Sequence, residues 1–137
     1  GGSPDAFVVQ LDDQAQLKWA KRIGGPSPDG AHQMAVDEQG DVYVAGLFEG
    51  HVVFDPDRRD NASAERQADW IDAFVVKLDR NGAYRWVHRW GGRGFYQGRA
   101  LAYNQGAVYV AGLAAVYPDL VRKLMRTLLG WPERAAA

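Results

Sequence analysis

Apolar and polar residues alternate in short segments along most of the chain up to residue 113. In the first segment, Phe7, Val9 and Leu11 fall on one face of an extended chain, because successive side chains of a β-strand point to opposite sides. The same alternation returns in residues 72–78. Glycine and polar turn residues separate the segments, which is typical of an all-β fold. The pattern predicts strands at 5–11, 17–23, 33–37, 42–47, 72–78, 84–90, 99–103 and 108–113.

The chain contains two similar copies of one unit. Residues 5–25 (DAFVVQLDDQAQLKWAKRIGG) and 72–92 (DAFVVKLDRNGAYRWVHRWGG) are identical at eleven of 21 positions. QGDVYVAGL at 39–47 returns at 105–113 with one change, and the offset falls from 67 to 66 residues between the two blocks. Units that repeat in this way usually bury their apolar faces against neighbours of the same kind. The repetition therefore predicts a scaffold or binding surface rather than a single buried reaction centre.

The two copies occupy residues 5–47 and 72–113 of a region that spans 1–114, and residues 48–71 are an insertion between them. Within the insertion, Val52–Phe54 is apolar and is expected to extend a hairpin. Residues 55–67 are polar and charged, which indicates an exposed loop. The glycine-rich segment 91–98 precedes a strand rather than a helix, so we also expect a loop there.

A different pattern begins after residue 114. Leu120, Leu124 and Leu128 recur at the spacing of one helix face, and Pro118 and Gly130 are typical start and stop residues. Residues 115–137 are thus predicted to form a C-terminal amphipathic α-helix and a tail. An apolar stripe of this kind usually faces protein, so we expect docking or assembly; contact with a membrane is the less favoured alternative.

The composition excludes several classes of function. The chain has 137 residues, with 16 basic and 17 acidic side chains, so no global positive field favours nucleic acid. It has no cysteine, which rules out disulfides and thiolate metal sites. No apolar run approaches the length of about 20 residues that a membrane-spanning helix needs.

Several blocks of both copies resemble the bacterial β-propeller repeat called SBBP. DAFVVKLDRNGAYRWVHRWGG and QGAVYVAGL follow the order of that repeat, and the first copy matches through Asp5–Leu11, Trp19, Gly24-Gly25, Ala35–Asp37 and Val42–Gly46. The segment 102–104 of the second copy departs from it. The resemblance implies four-stranded blades around an axis, found mostly in exported or surface proteins of bacteria. It implies no single activity.

The resemblance also implies a grouping of the strands, with the VYVAG strand innermost in each blade. Residues 5–37 would then supply three strands of one blade, residues 42–103 a complete blade, and residues 108–113 one further inner strand, which is the strand that the first blade lacks. The expected fold is an incomplete β-propeller of about two four-stranded blades. Two blades are too few to close a ring, so a homo-oligomer or other protein subunits are expected to complete it, with Val108, Tyr109 and Val110 at the point of assembly together with the apolar face of the C-terminal helix.

One cluster of basic and aromatic residues is a candidate binding patch, because aromatic residues beside arginines are enriched at interaction hot spots. Ordinary packing between blades, with solvated arginines, is the alternative interpretation. The cluster consists of Arg89, Trp90, Arg93, Phe95, Tyr96 and Arg99.

No motif predicts catalysis. His32, His51 and His88 are not spaced as a pair of metal ligands, and no nucleophile elbow or phosphate loop occurs. The acidic segment 55–61 lacks the glycine and the late glutamate of a calcium loop, so a solvated loop is the preferred interpretation. The spacing of Asp79, Gly82 and Trp86 is close to a docking motif of quinone-dependent propellers, but that motif is structural there too. We expect no catalytic residue, no metal and no cofactor.

Three functions stay open on the sequence. The first is a non-enzymatic propeller scaffold or interaction module, located in the bacterial periplasm, at the cell surface or outside the cell. The second is a lectin-like propeller that binds a carbohydrate or another ligand. The third is an accessory subunit of a larger complex, docked through the C-terminal helix.

Overall fold

The computed structural model describes residues 3–58 and 61–116, and the fold of this part is all-β. Its only helical element in that range is a single 3-10 turn at Ala62–Ala64. The predicted C-terminal helix lies outside the described residues. The strands are β1 (Ala6–Leu11), β2 (Leu17–Ile23), β3 (Asp29–Val36), β4 (Val42–Val53), β5 (Glu65–Leu78), β6 (Tyr84–Trp90), β7 (Gly94–Asn104) and β8 (Ala107–Val116).

The strands pair as antiparallel neighbours in three groups. β1 and β2 form a two-stranded sheet, β3–β4–β5–β6 form a continuous antiparallel run, and β7 pairs with β8. A single parallel pair, Ile71 with Phe95, links β7 to β5. The hydrogen bond from the Asp29 amide to the Pro4 carbonyl, at 2.8 Å, makes a similar link between the start of β1 and β3.

The predicted grouping of residues 42–103 into one four-stranded set is wrong. β3, rather than β7, joins β4, β5 and β6, and β7 instead pairs with β8. The reason is local, because the short turns at 37–41 and 105–106 close β3–β4 and β7–β8 as tight hairpins. In β4, the VYVAG sequence therefore has a neighbouring strand on each edge, β3 and β5. In β8 the same sequence has a neighbour, β7, on one edge within the described residues.

The two copies form hairpins with the same register. Val8 pairs with Lys21 as Val75 pairs with His88, and each hairpin has an irregularity just before the last residue of its first strand. The hairpins β3–β4 and β7–β8 also correspond, with offsets of 67 for the first strand and 66 for the second. The residue that the second copy lacks is therefore lost from the turn, where a change of length does not alter the pairing.

The insertion 48–71 is mostly strand. β4 continues through Val53, as the apolar segment predicts, but β5 already begins at Glu65, and so the predicted loop at 55–67 is shorter than expected. Its ends are also buried: Asp55 and Ala64 are both inaccessible, and the Phe54 amide donates to the Ala64 carbonyl at 2.8 Å. Apolar side chains of the insertion pack on the main core. The many charged residues between them led to the prediction of an exposed loop.

The predicted loop at 91–98 is also wrong in part, because β7 begins at Gly94. Its glycines are needed for close approach. A side chain at Gly94 would lie 2.6 Å from the Ala115 carbonyl oxygen, and one at Gly98 would press on Ala45 and on the backbone of Gly46. Glycine in a strand often marks such contacts between backbones.

The core lies on both faces of the β4–β5 hairpin. On one face, Phe48, Phe54 and Phe74 pack edge to face, and Ala6 and Val8 of β1 pack on the same cluster. On the other face a smaller cluster joins Tyr43, Ala45 and Val75 to Leu101 of β7. Within the described residues no helix has the length and apolar character needed to cross a membrane.

Candidate functional site: two open apolar surfaces

The first candidate site is the surface formed by the outer face of the β1–β2 hairpin and the exposed face of β3. We name it the N-terminal open surface. The side chain of Phe7 is 72% exposed, and the edge of β1 that faces away from β2 has no neighbouring strand among the described residues. Exposed apolar side chains beside an open strand edge are typical of a protein-binding surface. Its large apolar residues are Phe7, Val9, Leu11, Leu17, Met34 and Val36.

The second candidate site is formed by β8 and the neighbouring face of β5 and β6. We name it the C-terminal open surface. Within residues 3–58 and 61–116, β8 pairs with β7 on one edge and has no strand on the other, and between β8 and β6 lies a groove of about 510 Å³. The exposed large apolar residues of this surface are Trp90, Tyr109, Val110 and Leu113. Trp86, Trp90 and Tyr96 line the groove with the small residues of β8.

The predicted basic-aromatic patch is divided in the structure. Trp90 is half exposed on the groove, whereas Arg89 lies on the opposite face of β6, where its guanidinium donates to the buried carboxylate of Asp72. The same ion pair occurs in the first copy between Arg22 and Asp5, at 2.6 Å. This repetition gives Arg89 a structural role in holding the hairpin.

The remaining patch residues lie on β7 or just before it. Arg93 is exposed in the preceding turn, and Arg99 is exposed with its Nε bonded to Gln97 Oε1 at 2.8 Å. Phe95 is half buried at the junction of β7 with β5, and Tyr96 is half buried in the groove. Of the six predicted residues, the structure brings only Trp90 and Tyr96 together on the groove.

The predicted assembly residues of β8 lie in the C-terminal open surface. Val108 is half buried against the smaller core cluster, and Tyr109 and Val110 are exposed. The predicted assembly residues Leu120, Leu124 and Leu128 lie outside the described residues.

The repeated tryptophans act in packing. Trp19 packs on the main core, and its indole Nε1 donates to the Arg80 carbonyl at 3.1 Å, which joins the β1–β2 hairpin to the turn after β5. A side chain at Gly82 would lie 2.7 Å from the Trp19 ring. Trp86 packs against Tyr43, with ring centroids 6.0 Å apart. Their repetition at equivalent positions of the two copies therefore reflects contacts between successive units.

Aspartates after the apolar strands organise the turns. Asp79 Oδ1 accepts the amides of Asn81 and Ala83 at 2.8 and 2.9 Å, and Asp37 Oδ1 accepts those of Gln39 and Asp41 at 3.0 and 2.9 Å. Burial raises the pKa of both carboxyls, but the net effect is a lowered pKa, because these hydrogen bonds act together with Tyr43 and Lys77 at Asp37 and with Arg85 at Asp79. The spacing of Asp79, Gly82 and Trp86 thus serves the turn and the packing beside it.

Asp29 is a buried carboxyl whose ionised form is disfavoured. Asp29, at the start of β3, has its pKa raised to about 6, mainly because burial penalises its charged form. The Gly25 amide donates to its Oδ2 at 3.0 Å and counteracts this in part, and nearby Asp5 raises the pKa further. Asp29 lies at the link between β1 and β3, and so its ionisation bears on the stability of that link.

Polar residues of the insertion, His51 among them, form local pairs. Asp55 is buried and accepts the Asn61 amide at 3.0 Å, so it is not part of a solvated loop as predicted, and Asp57 forms an ion pair with Lys21. His51 Nε2 lies 3.0 Å from Glu65 Oε2. In residues 3–58 and 61–116, no three histidine, aspartate or glutamate side chains are grouped so that they could hold a metal ion.

Sequence reasoning missed the N-terminal open surface as a site. Phe7 and Val9 belong to an apolar strand face, which in isolation predicts a buried position. The sequence signal lay in the second copy, where the equivalent residues Phe74 and Val76 follow the apolar VYVAGL segment that becomes their neighbouring strand. The grouping implied by the resemblance already leaves the first blade one inner strand short, and the strand pairing shows that, among the described residues, β1 lacks the neighbour that β5 has in β4.

A comparison with protein families finds that residues 18–47 match the SBBP family, described as a beta-propeller repeat. The match covers β2, β3 and the first half of β4. It confirms the resemblance seen in the first copy. No curated protein matches the chain.

Proposed function

We propose that this chain is a non-enzymatic β-propeller module whose role is to bind protein and to complete a ring of four-stranded blades with additional polypeptide. The family match and the antiparallel run β3–β6 support a propeller of this kind. In this arrangement β1–β2 are the outer half of one blade, β3–β6 are a whole blade, and β7–β8 are the inner half of a third.

The observation that carries the proposal is where the exposed apolar side chains lie. Among the described residues, all ten large apolar side chains that are exposed belong to the N-terminal or the C-terminal open surface. Scattered exposed apolar residues are normal on any protein, whereas a division into two patches beside open strand edges indicates contacts with protein. The chain would act through these surfaces.

The experiment is a measurement of native mass by light scattering at several protein concentrations. We expect an oligomer whose mass is an integer multiple of 15.1 kDa. Val110→Lys should reduce the mass to that of a monomer. Val110 lines the groove, and a charge buried there by an added strand would oppose its pairing with β8. Gln39→Lys, in the exposed turn before β4, is the matched control and should leave the mass unchanged.

A folded wild-type monomer at micromolar concentration would contradict self-assembly. Equal effects of the two lysine variants would show that added charge alone disturbs the protein and that the open edge has no special role. Circular dichroism of both variants separates a loss of assembly from a loss of fold.

A second candidate function is binding of a carbohydrate in the groove beside β6. The observation in its favour is the pair of accessible rings, Trp90 and Tyr96, on the lining of the groove, because aromatic faces provide apolar area together with a polar edge. A glycan array tests it: binding that Trp90→Ala abolishes and Phe7→Ala does not would support this function. Binding of no glycan would exclude it.

The resemblance to repeats of exported bacterial proteins supports a location outside the cytoplasm. Fractionation of the source cells tests this, and recovery of the protein with the cytoplasmic fraction would contradict it.

A further inference from the structure

We propose that β8 of one copy of this chain pairs with β1 of a second copy, so that the β1–β2 hairpin of the second copy fills the groove beside β6 of the first. This inference rests on the proposed function and adds to it the partner, the two strands and their register. Its basis is that the chain already contains this contact once, between β4 and β5.

The internal contact supplies the register. β4 and β8 carry the same VYVAGL sequence, and β5 and β1 carry the same DAFVV sequence. Val44 of β4 pairs with Val76 of β5, and Gly46 pairs with Phe74. With the offsets of 66 and 67 residues, Val110 of one copy then pairs with Val9 of the next, and Gly112 pairs with Phe7.

The burial of equivalent residues differs as this pairing requires. Phe7 is 72% exposed, whereas Phe74 is fully buried; Tyr109 is 60% exposed, whereas Tyr43 is 5% exposed. The same holds for every exposed large apolar residue of both open surfaces. Their counterparts in the other copy are all buried or half buried: Phe74, Val76, Leu78, Tyr84, Leu101 and Tyr103 for the N-terminal surface, and Ile23, Tyr43, Val44 and Leu47 for the C-terminal surface.

A glycine on β8 leaves room for the incoming ring. In the internal contact, a side chain at Gly46 would lie 2.9 Å from the Phe74 ring, so the ring depends on the absence of a side chain opposite it. Gly112 occupies the equivalent place on β8 and is exposed. The proposed register puts Phe7 of the second copy opposite Gly112, in the way that aromatic side chains cover glycine in a neighbouring strand.

The groove has the shape that the second hairpin needs. Within one chain, the face of β5 that carries Phe74 and Val76 packs on Ala6 and Val8 of β1. Ala73 and Val75 are the equivalents of Ala6 and Val8, and both line the groove. The face of the second copy's β1 that carries Phe7 and Val9 would therefore pack on them as Phe74 and Val76 pack on Ala6 and Val8.

The contact joins two different surfaces, so it is head-to-tail. Such contacts repeat from copy to copy and end in a closed ring when the rotation closes, or in a filament when it does not. The described residues of each copy contribute eight strands, equal to two blades. Three or four copies would give a propeller within the usual range of blade numbers.

The test uses introduced cysteines, since the chain has none of its own. In the full chain, Val9→Cys with Val110→Cys places two thiols opposite each other in the proposed register, at the Cα distance of about 4.5–5.5 Å that antiparallel pairs have and a disulfide accepts. Val9→Cys with Ala114→Cys is the control, because Ala114 lies on the same face of β8 but about 13 Å further along the strand. Both variants are oxidised and separated on a non-reducing gel.

We expect covalent multimers from the Val9 and Val110 pair and their loss in the Val9 and Ala114 pair. Both reduced variants should keep the native mass of the wild type. If the protein is an oligomer but the first pair does not cross-link, or if both pairs cross-link equally, this strand pairing is wrong while the proposed function stands. If the wild type is a folded monomer and the thiols of both cysteine variants stay free, this pairing between copies is wrong, and the self-assembly in the proposed function is wrong with it.

Discussion

At the scale of single residues, the same side chain has opposite surroundings in the two copies. Phe7 and Phe74 occupy equivalent positions of identical DAFVV segments, yet one is exposed and the other is fully buried. The difference comes from the neighbouring strands, because β4 lies beside β5 and β1 packs on the Phe74 face, whereas β1 pairs with β2 alone among the described residues. Residue identity therefore indicates what each phenylalanine is suited to contact, and strand pairing decides whether the contact exists within the chain.

Phe74→Ala and Phe7→Ala should consequently act on different equilibria. Phe74→Ala removes a fully buried ring and should lower the free energy of unfolding by about 3–5 kcal/mol, measured by urea denaturation. Phe7→Ala should leave the secondary structure intact and raise the dissociation constant of the assembly at least about 30-fold, the size expected of a hot-spot residue. Sedimentation velocity measures the second effect, and an unchanged dissociation constant would count against the N-terminal open surface.

The buried carboxyl of Asp29 predicts a dependence on pH. Its pKa is raised to about 6 in the folded protein, so the folded state holds the proton more tightly than the unfolded state does. The associated stability is fully present below the ordinary pKa of aspartate, about 3.9, and is lost as the pH rises through about 6. Asp29→Asn should therefore raise the melting temperature at pH 8, with a difference that vanishes near pH 4.

Asp13→Asn, at an exposed turn position, is the control for that experiment and should change the melting temperature at neither pH. A lower melting temperature of Asp29→Asn at pH 8 would show that the ionised carboxylate stabilises the β1–β3 link.

At the scale of elements, the turns decide which strands become neighbours. The spacing of apolar residues predicts all eight strands, but it does not tell whether β3 pairs with β2 or with β4. The β3–β4 turn is closed by Asp37, whose Oδ1 accepts two backbone amides while its Oδ2 accepts the Tyr43 hydroxyl at 3.0 Å. The turn after β5 is closed in the same way by Asp79, with Arg85 as the partner of Oδ2 at 2.7 Å.

Asp79→Ala should destabilise the β5–β6 hairpin, because it leaves two amides without their acceptor. The expected loss in the free energy of unfolding is about 1–3 kcal/mol, measured by chemical denaturation at pH 7. Asp79→Asn retains a side-chain oxygen and should cost less. Since the folded-state pKa of Asp79 is lowered, the contribution of its charge is present above the ordinary pKa and is lost as the pH falls. Equal costs for the two variants would contradict the role given to the Oδ1 atom.

At the scale of the whole molecule, the described residues form one complete four-stranded run with two-stranded pieces on either side. The core is continuous across the first junction, where β1 and β2 pack on β4 and β5, and across the second, where β7 packs on β4 and β5. Beyond these junctions the apolar faces are open. Stability should thus depend on contacts between copies as well as on the core of each copy.

This dependence predicts a melting temperature that rises with protein concentration, because a contact that exists only in the folded assembly stabilises it by mass action. Thermal denaturation over a hundredfold range of concentration (about 1–100 μM) measures it. The Val110→Lys variant should show no such rise. A wild-type melting temperature independent of concentration would mean that folding is complete within one chain.

The sequence by itself determined the all-β class, the places of the eight strands though not the full extent of most of them, and the internal similarity of the two copies, because alternation, turn residues and internal identity are local signals. Only the tertiary structure decided that β3 rather than β7 completes the four-stranded run, that the insertion is mostly strand with buried apolar side chains, and that Phe7 is exposed while Phe74 is not. These facts depend on which strand edges meet in space. Identical local sequences indicate which neighbour suits each strand, but they do not tell whether that neighbour lies in the same chain, because the turns and connections decide which backbone edges meet.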